Sequence, residues 1–258
     1  MALASRFDSL CVSLSLPLLS LFLLKLFLAP ALVLADLAHP ATMSPAGCVA
    51  MCISLLGSAL NSPSLTAAGA ALHASLLLCF LRAARRERAG VDPAWFPNTV
   101  AVSVSADKLF PFRPHLARLL LATSLVLFLF LFPASLHRVA TDRSVAPTVC
   151  WIQMSAPAGL LVAFIEMCPP TSPVRSRGVV FLFLCCLLSV ASVFQAVGRR
   201  WREVKATPFS PAHAAYCFPA VAHAAATAAF HEWLLETLVV GDAHPPPSGP
   251  LLLLNFVL

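Results

Sequence analysis

Two kinds of apolar segment alternate along the chain. Segments of the first kind, called lipid-type segments below, are apolar throughout. They are long enough to cross a bilayer, because about 20 helical residues span about 30 Å. They cover residues 9–28, 64–81, 115–136 and 178–197. Segments of the second kind are richer in small and polar residues and have a proline inside or close to their start; they cover residues 43–60, 99–109, 147–167 and 209–230. The alternation predicts about eight transmembrane helices, with the second kind turned toward a cavity rather than toward lipid.

The segment 209–230 has this second character most clearly. Alanine is its commonest residue, it carries Tyr216 and His223, and Pro219 lies near its centre. A proline at mid-membrane leaves a backbone carbonyl without its helical partner, which is tolerated only against protein or water. We therefore expect an inner helix that bends at Phe218-Pro219.

The prolines of the second kind of segment recur along the chain. They are Pro45, Pro97, Pro157 and Pro219, and each interval between them holds one segment of each kind. Units that cannot bury their own polar face usually close around a shared axis. The sequence thus predicts an all-α fold, a polytopic transmembrane helix bundle of repeated helical hairpins around a central pore.

The segment 99–109 is short and also fits a second interpretation. Ser103, Ser105 and Asp107 alternate with apolar residues, as in a strand. An isolated strand would leave its edges unpaired in a bilayer, so we predict a short inner helix with Pro97 in its first turn. At the start of the chain, residues 9–28 fit a signal peptide as well as a membrane helix, and we expect Pro30 to end that helix.

Composition places the chain among multi-pass integral membrane proteins. Hydrophobic residues make up 59% of it and charged residues 11%, against about 25% charged in soluble domains. We expect a transmembrane domain over residues 1–240 and a proline-rich tail over residues 241–258. The composition does not indicate which membrane is occupied.

The net charge of +6 lies in short loops between apolar segments. This distribution indicates membrane orientation rather than a nucleic-acid partner. Lys and Arg are more frequent in the loops that follow the lipid-type segments than in the loops on the opposite side. This bias predicts that the carboxyl ends of the lipid-type segments are cytoplasmic.

The sequence contains little that indicates an enzyme. No phosphate loop, glycine-rich cofactor turn or nucleophile elbow occurs, so we expect no cofactor and no catalytic residues. Cys48 and Cys52 are spaced as half of a metal site, but no second pair matches them, and most of the nine cysteines lie in apolar segments. We therefore expect no bound metal.

Three residues leave an enzyme as an alternative. His223, His231 and Glu232 could belong to a membrane-embedded metal-dependent enzyme, although the second histidine of the zinc-protease pattern is absent. Of the acids near inner segments, Asp107 and Glu166 could mark a proton or cation path, but their places near helix ends favour a solvated membrane edge.

Four stretches in order resemble the tellurite-resistance/dicarboxylate transporter family. They are Leu34-Ala-Asp-Leu-Ala-His-Pro40, Pro93-Ala-Trp-Phe-Pro-Asn-Thr-Val100, Trp151-Ile-Gln-Met-Ser-Ala-Pro-Ala158 and Phe209-Ser-Pro-Ala-His-Ala-Ala-Tyr-Cys-Phe-Pro219. The family includes plant slow-type anion channels, bacterial tellurite-resistance channels, and fungal malate and sulfite transporters. The resemblance covers about residues 20–230.

The resemblance implies five helical hairpins whose five inner helices surround a pore. The four inner segments correspond to the third, fifth, seventh and ninth helices of the family, while the first has no counterpart and the tenth is doubtful. A ring that lacks one inner helix has a gap, which another chain or lipid would fill unless the chain is a fragment or an inactive truncated member. A homo-oligomer in contact with membrane lipid is the partner arrangement that we expect.

The resemblance also implies a function and a gate. Small anions such as chloride, nitrate, malate or another dicarboxylate would cross through the pore, and Phe218 matches the phenylalanine that occludes it. His223 beside the pore could sense pH. The residues expected to line the pore or to bend its helices are Pro45, Phe96, Pro97, Gln153, Ser155, Pro157, Tyr216, Pro219 and His223.

Overall fold

The computed structural model describes residues 13, 16–17, 19–40, 42–87, 91–170, 172–206 and 214–243, without the side chains at 44–45, 87, 173, 214–218 and 239–243. Every regular element in these ranges is helical. A 3-10 helix, Pro93–Asn98, separates the fourth α-helix from the fifth. The α-helices are α1 Leu19–Leu28, α2 Pro30–Ala38, α3 Ser44–Ala59, α4 Pro63–Glu87, α5 Val102–Leu109, α6 Pro114–Thr141, α7 Pro147–Met167, α8 Pro173–Arg199, α9 Trp201–Ala206 and α10 Ala214–Ala243.

Four of these helices are long and apolar enough to cross a membrane, namely α4, α6, α7 and α8. Helices α1 and α2 together could form a fifth span. This span would be broken, because the two helices meet at an angle of 109°. These findings confirm the all-α fold and indicate a membrane protein. The count is below the predicted eight because α3 and α5 are short, α1 is bent away from α2, and α10 is not among the helices that are long and apolar enough.

Prolines mark two helix boundaries. The prediction that Pro30 ends the first helix is confirmed, since α1 ends at Leu28; Pro30 also begins α2, because its fixed φ and missing N–H suit the first turn of a helix. The chain turns back there, and Lys25 forms an ion pair with Asp36 at 2.5 Å. Pro97 lies inside the 3-10 helix and not in the first turn of α5.

The elements rich in small and polar residues lie against one another, and the lipid-type helices pack around them. We call α3, the 3-10 helix, α5, α7 and α10 the inner elements, and α4, α6 and α8 the outer helices. Along the inner elements α3 contacts the 3-10 helix and α5, these two contact α7, and α7 contacts α10. The outer helices α4, α6 and α8 pack on α3, α5 and α7, respectively.

Burial distinguishes α7 from the outer helices, whereas half of the described side chains of α10 are exposed. In its apolar window α7 is 72% buried, whereas α4 and α8 are each 39% buried and α6 is 28% buried. Large apolar side chains such as Phe130 on α6 and Leu184 on α8 are exposed. The outer helices thus present an apolar surface that suits lipid.

Small residues bring α3 and α4 into close contact. A Cβ atom added to Gly57 would lie 2.4 Å from the backbone nitrogen of Thr66, and one added to Gly69 would lie 2.5 Å from Oγ of Ser54. Such separations require glycine, as is common where helices approach closely in membranes.

Candidate pore site

A small cavity lies where the 3-10 helix, α5, α7 and α10 meet. Its volume is about 30 Å³, room for about one water molecule. It is too small for a hydrated anion. The lining residues are Phe96, Ala101, Ser103, Val104, Ser155, Ala156, Gly159 and Ala222.

Phe96 is the largest of these side chains, and the 3-10 helix holds it in place. The carboxylate of Asp92 accepts a hydrogen bond of 2.9 Å from the backbone N–H of Ala94 and so caps the helix. At the other end the hydroxyl of Thr99 donates to the carbonyl of Trp95 at 2.9 Å. Phe96 itself is only 1% exposed, so its ring closes one wall of the cavity.

A buried histidine fastens this wall to an outer helix. His73 of α4 lies with Nε2 2.8 Å from the carbonyl oxygen of Pro97 and with Nδ1 2.9 Å from the hydroxyl of Ser105. Because a carbonyl only accepts, Nε2 carries the proton, and Nδ1 accepts from Ser105. We call these three residues the histidine brace; it joins α4, the 3-10 helix and α5.

Several buried polar groups on the inner elements have no hydrogen-bond partner within the described residues. They include both amide atoms of Asn98, the hydroxyl of Ser103 and Nε2 of Gln153. All three side chains are fully buried. Ordered water or an ion is the usual explanation for such groups in native proteins.

The cavity brings together two residues that the sequence predicts for the pore. Phe96 and Ser155 both line it, although the hydroxyl of Ser155 also donates to the carbonyl of Ile152 at 2.7 Å. Pro157 is buried in α7 and Pro219 is buried in α10, and each helix continues through its proline. Pro97 lies next to Phe96, with its carbonyl in the histidine brace.

Two other predicted residues form hydrogen bonds to outer helices. Oε1 of Gln153 accepts from the hydroxyl of Ser135 on α6 at 2.5 Å. Nε2 of His223 donates to the carbonyl of Cys186 on α8 at 3.3 Å. Neither is among the described residues that line the cavity, to which α10 contributes Ala222.

Three predicted side chains lie outside the part that the structure describes. They belong to Pro45, Tyr216 and the proposed gate Phe218. The backbone of the first is in α3, and the backbone of the other two is in the first turns of α10.

The sequence-based prediction missed three features of this site. Ser103 and Gly159 line the cavity, and His73 forms the brace behind it. A signal for His73 was present, because a histidine inside an apolar segment needs a polar partner in a membrane. Its partners are 24 and 32 residues further along the chain, and only the fold identifies them.

The residues of the metal-enzyme alternative do not form a cluster. His231 and Glu232 are exposed on α10, and His223 bonds to α8. No group of three His, Cys, Asp or Glu side chains suited to a metal occurs within the described ranges. Of the two acids considered for a proton path, Asp107 forms an ion pair with Lys108 at 3.1 Å and Glu166 is exposed.

Comparison with known proteins leaves the family resemblance as a prediction. No model of a protein family matches the chain, and neither a curated protein nor a solved structure matches it.

Proposed function

We propose that this protein conducts small anions across a membrane along its inner elements, and that the conformation described here is closed. The candidate anions are chloride, nitrate, malate and other dicarboxylates. The observation that carries the proposal is the cavity at the meeting point of the inner elements, which Phe96, Ser103 and Ser155 line together.

The chemistry of the cavity suits an anion. None of the described residues that line it is acidic, and an anion path needs few fixed negative charges. The unpartnered hydroxyl of Ser103 could donate a hydrogen bond to an anion or to a water that travels with it. A wider opening at this level would therefore favour anions over cations.

The arrangement of the helices supports a repeated-hairpin pore. Each of α3, α5 and α7 packs on the outer helix that follows it, and successive inner elements contact one another. Helices arranged in this way can enclose a shared axis while the outer helices face lipid. We propose that a homo-oligomer or lipid completes the ring, as the family resemblance implies.

Removing the ring of Phe96 should open the path. In proteoliposomes loaded with chloride, we expect Phe96→Ala and Phe218→Ala each to raise the anion flux about tenfold over the wild type, which corresponds to a barrier lower by about 1.4 kcal/mol. Phe218 is included because the family resemblance implies that it closes the same path. The measurement is chloride efflux followed with an ion-selective electrode.

Phe130→Ala is the matched control, because it removes the same ring from the lipid-facing side of α6. Its flux should equal that of the wild type. If neither Phe96→Ala nor Phe218→Ala has a higher anion flux than Phe130→Ala, the proposed conduction path is wrong.

A further inference from the structure

A second and larger pocket lies away from the cavity, between the last turns of α6 and α8. Its volume is about 270 Å³. Val139 and Ala196 form apolar parts of its wall, and the charged residues Asp142, Arg143, Arg199 and Arg200 surround the rest. A pocket with this combination can accept a group that is charged at one end and apolar at the other.

Some of these charges are already neutralised within the protein. Arg200 forms an ion pair with Glu203 at 2.6 Å and donates to the carbonyl of Val145. Asp142 forms an ion pair with Arg138 at 3.2 Å. Hydrogen bonds from Ser144, with a smaller contribution from Arg138, hold the pKa of Asp142 below its usual range, so this carboxylate stays ionised and paired.

The other two arginines keep an uncompensated positive charge. Arg199 donates to the carbonyl of Ala140 at 3.4 Å, and it has no carboxylate partner in the described part of the chain. Arg143 has neither a hydrogen bond nor an ion pair to any described residue. Both side chains are exposed and line the same pocket. Two guanidinium groups placed in this way can bind a phosphate with paired hydrogen bonds.

The pocket lies at the level of a membrane surface. It adjoins the ends of two candidate spans, Pro114–Thr141 and Val174–Arg199. Trp201 follows directly and is 52% exposed, with Nζ of Lys205 5.4 Å from the centre of its ring. Exposed tryptophan next to basic residues is typical of the membrane–water interface. The excess of Lys and Arg predicts that this is the cytoplasmic side, where anionic lipids are enriched.

We propose that this pocket binds the headgroup of an anionic phospholipid, with the phosphate between Arg143 and Arg199. The acyl chains would lie along the outer helices, where α6 and α8 contact each other and expose Leu129 and Phe194. This site is independent of the conduction path, because its residues belong to neither the cavity nor the histidine brace.

Lipid binding to the purified full chain tests this proposal. Native mass spectrometry gives the dissociation constants of dioleoyl phosphatidylserine and dioleoyl phosphatidylcholine. We expect the wild type to prefer phosphatidylserine, and Arg143→Gln/Arg199→Gln to weaken phosphatidylserine binding about tenfold or more, because the paired hydrogen bonds from the two guanidinium groups to the phosphate are lost. Phosphatidylcholine binding should not change.

The control variant is Arg85→Gln/Arg86→Gln, which makes the same change of charge at two exposed arginines in the last turn of α4. It should change phosphatidylserine binding less than about twofold, because these arginines line no part of the pocket. Arg143→Gln alone breaks no contact among the described residues, so it keeps the test valid if the double variant fails to fold. This single variant should weaken binding by a smaller factor than the double variant.

Three outcomes would overturn the proposal. The first is equal binding of phosphatidylserine by the wild type and by the Arg143 and Arg199 variants, and the second is an equal loss in the α4 control. The third is displacement of phosphatidylserine by equimolar glycerophosphoserine, which would identify a soluble phosphate compound as the occupant instead of a lipid.

Discussion

Gly47→Ala should lower the melting temperature of this protein by about 10 °C. Overpacking a contact that cannot relax costs about 3 kcal/mol of stability. Each kcal/mol lowers the melting temperature of a chain of this size by about 2–4 °C. A Cβ atom on Gly47 would lie 2.3 Å from the carbonyl oxygen of Pro97 and 2.7 Å from Oδ1 of Asn98. The first of these atoms belongs to the backbone, so a rotamer change cannot relieve the clash. The 3-10 helix would have to move away from α3.

Gly198→Ala is the control for this prediction. A Cβ atom at Gly198 meets nothing within 4 Å, and alanine is a better helix former than glycine. The melting temperature of Gly198→Ala in detergent, followed by tryptophan fluorescence, should equal or exceed that of the wild type. Equal melting temperatures for Gly47→Ala and Gly198→Ala would show that α3 and the 3-10 helix do not pack as described.

His73→Leu should have a similarly large effect for an electrostatic reason. Leucine fills much of the same space, but it leaves the carbonyl of Pro97 and the hydroxyl of Ser105 buried without a partner. Each such group costs about 1–3 kcal/mol, so we expect a loss of about 3 kcal/mol, or about 10 °C in melting temperature. The matched control is His115→Leu at the exposed start of α6, which should change the melting temperature little.

A double variant separates the brace from simple packing. If Ser105 bonds to His73 as the geometry indicates, Ser105→Ala added to His73→Leu should cost less than Ser105→Ala costs in the wild type, because its partner is already gone. Additive losses, or a His73→Leu protein as stable as His115→Leu, would contradict the histidine brace.

The sequence predicted the long apolar helices well because their signal is local. The range 147–167 agrees with α7 at both ends, since a proline begins that helix and the prolines that follow its last turn limit it. The elements around Pro30 and Pro97 were predicted less well. At both positions the local sequence allows proline either to end a helix or to begin one, and the contacts made elsewhere decide between these outcomes.

The sequence indicates which residue types form the site, but it does not indicate toward which neighbouring helix each side chain points. Small and polar residues in α7 and α10 correctly indicated contact with protein, and Phe96 and Ser155 line the cavity. Gln153 and His223 were equally plausible from the sequence, yet their hydrogen bonds run to α6 and α8. A polar residue in an apolar segment requires a partner, but the pattern does not reveal on which side of the helix the partner lies.

The most direct test of the central claim is whether water reaches the inner elements once the aromatic rings are removed. In a Phe96→Ala/Phe218→Ala background, a cysteine at Ser155 should react with a small, membrane-impermeant anionic methanethiosulfonate in proteoliposomes. A cysteine at Phe130, which faces lipid, should not react; peptide mass spectrometry identifies the modified position. Reaction at position 155 but not at position 130 is the result that we predict, and equal protection of both positions would contradict a conduit along the inner elements.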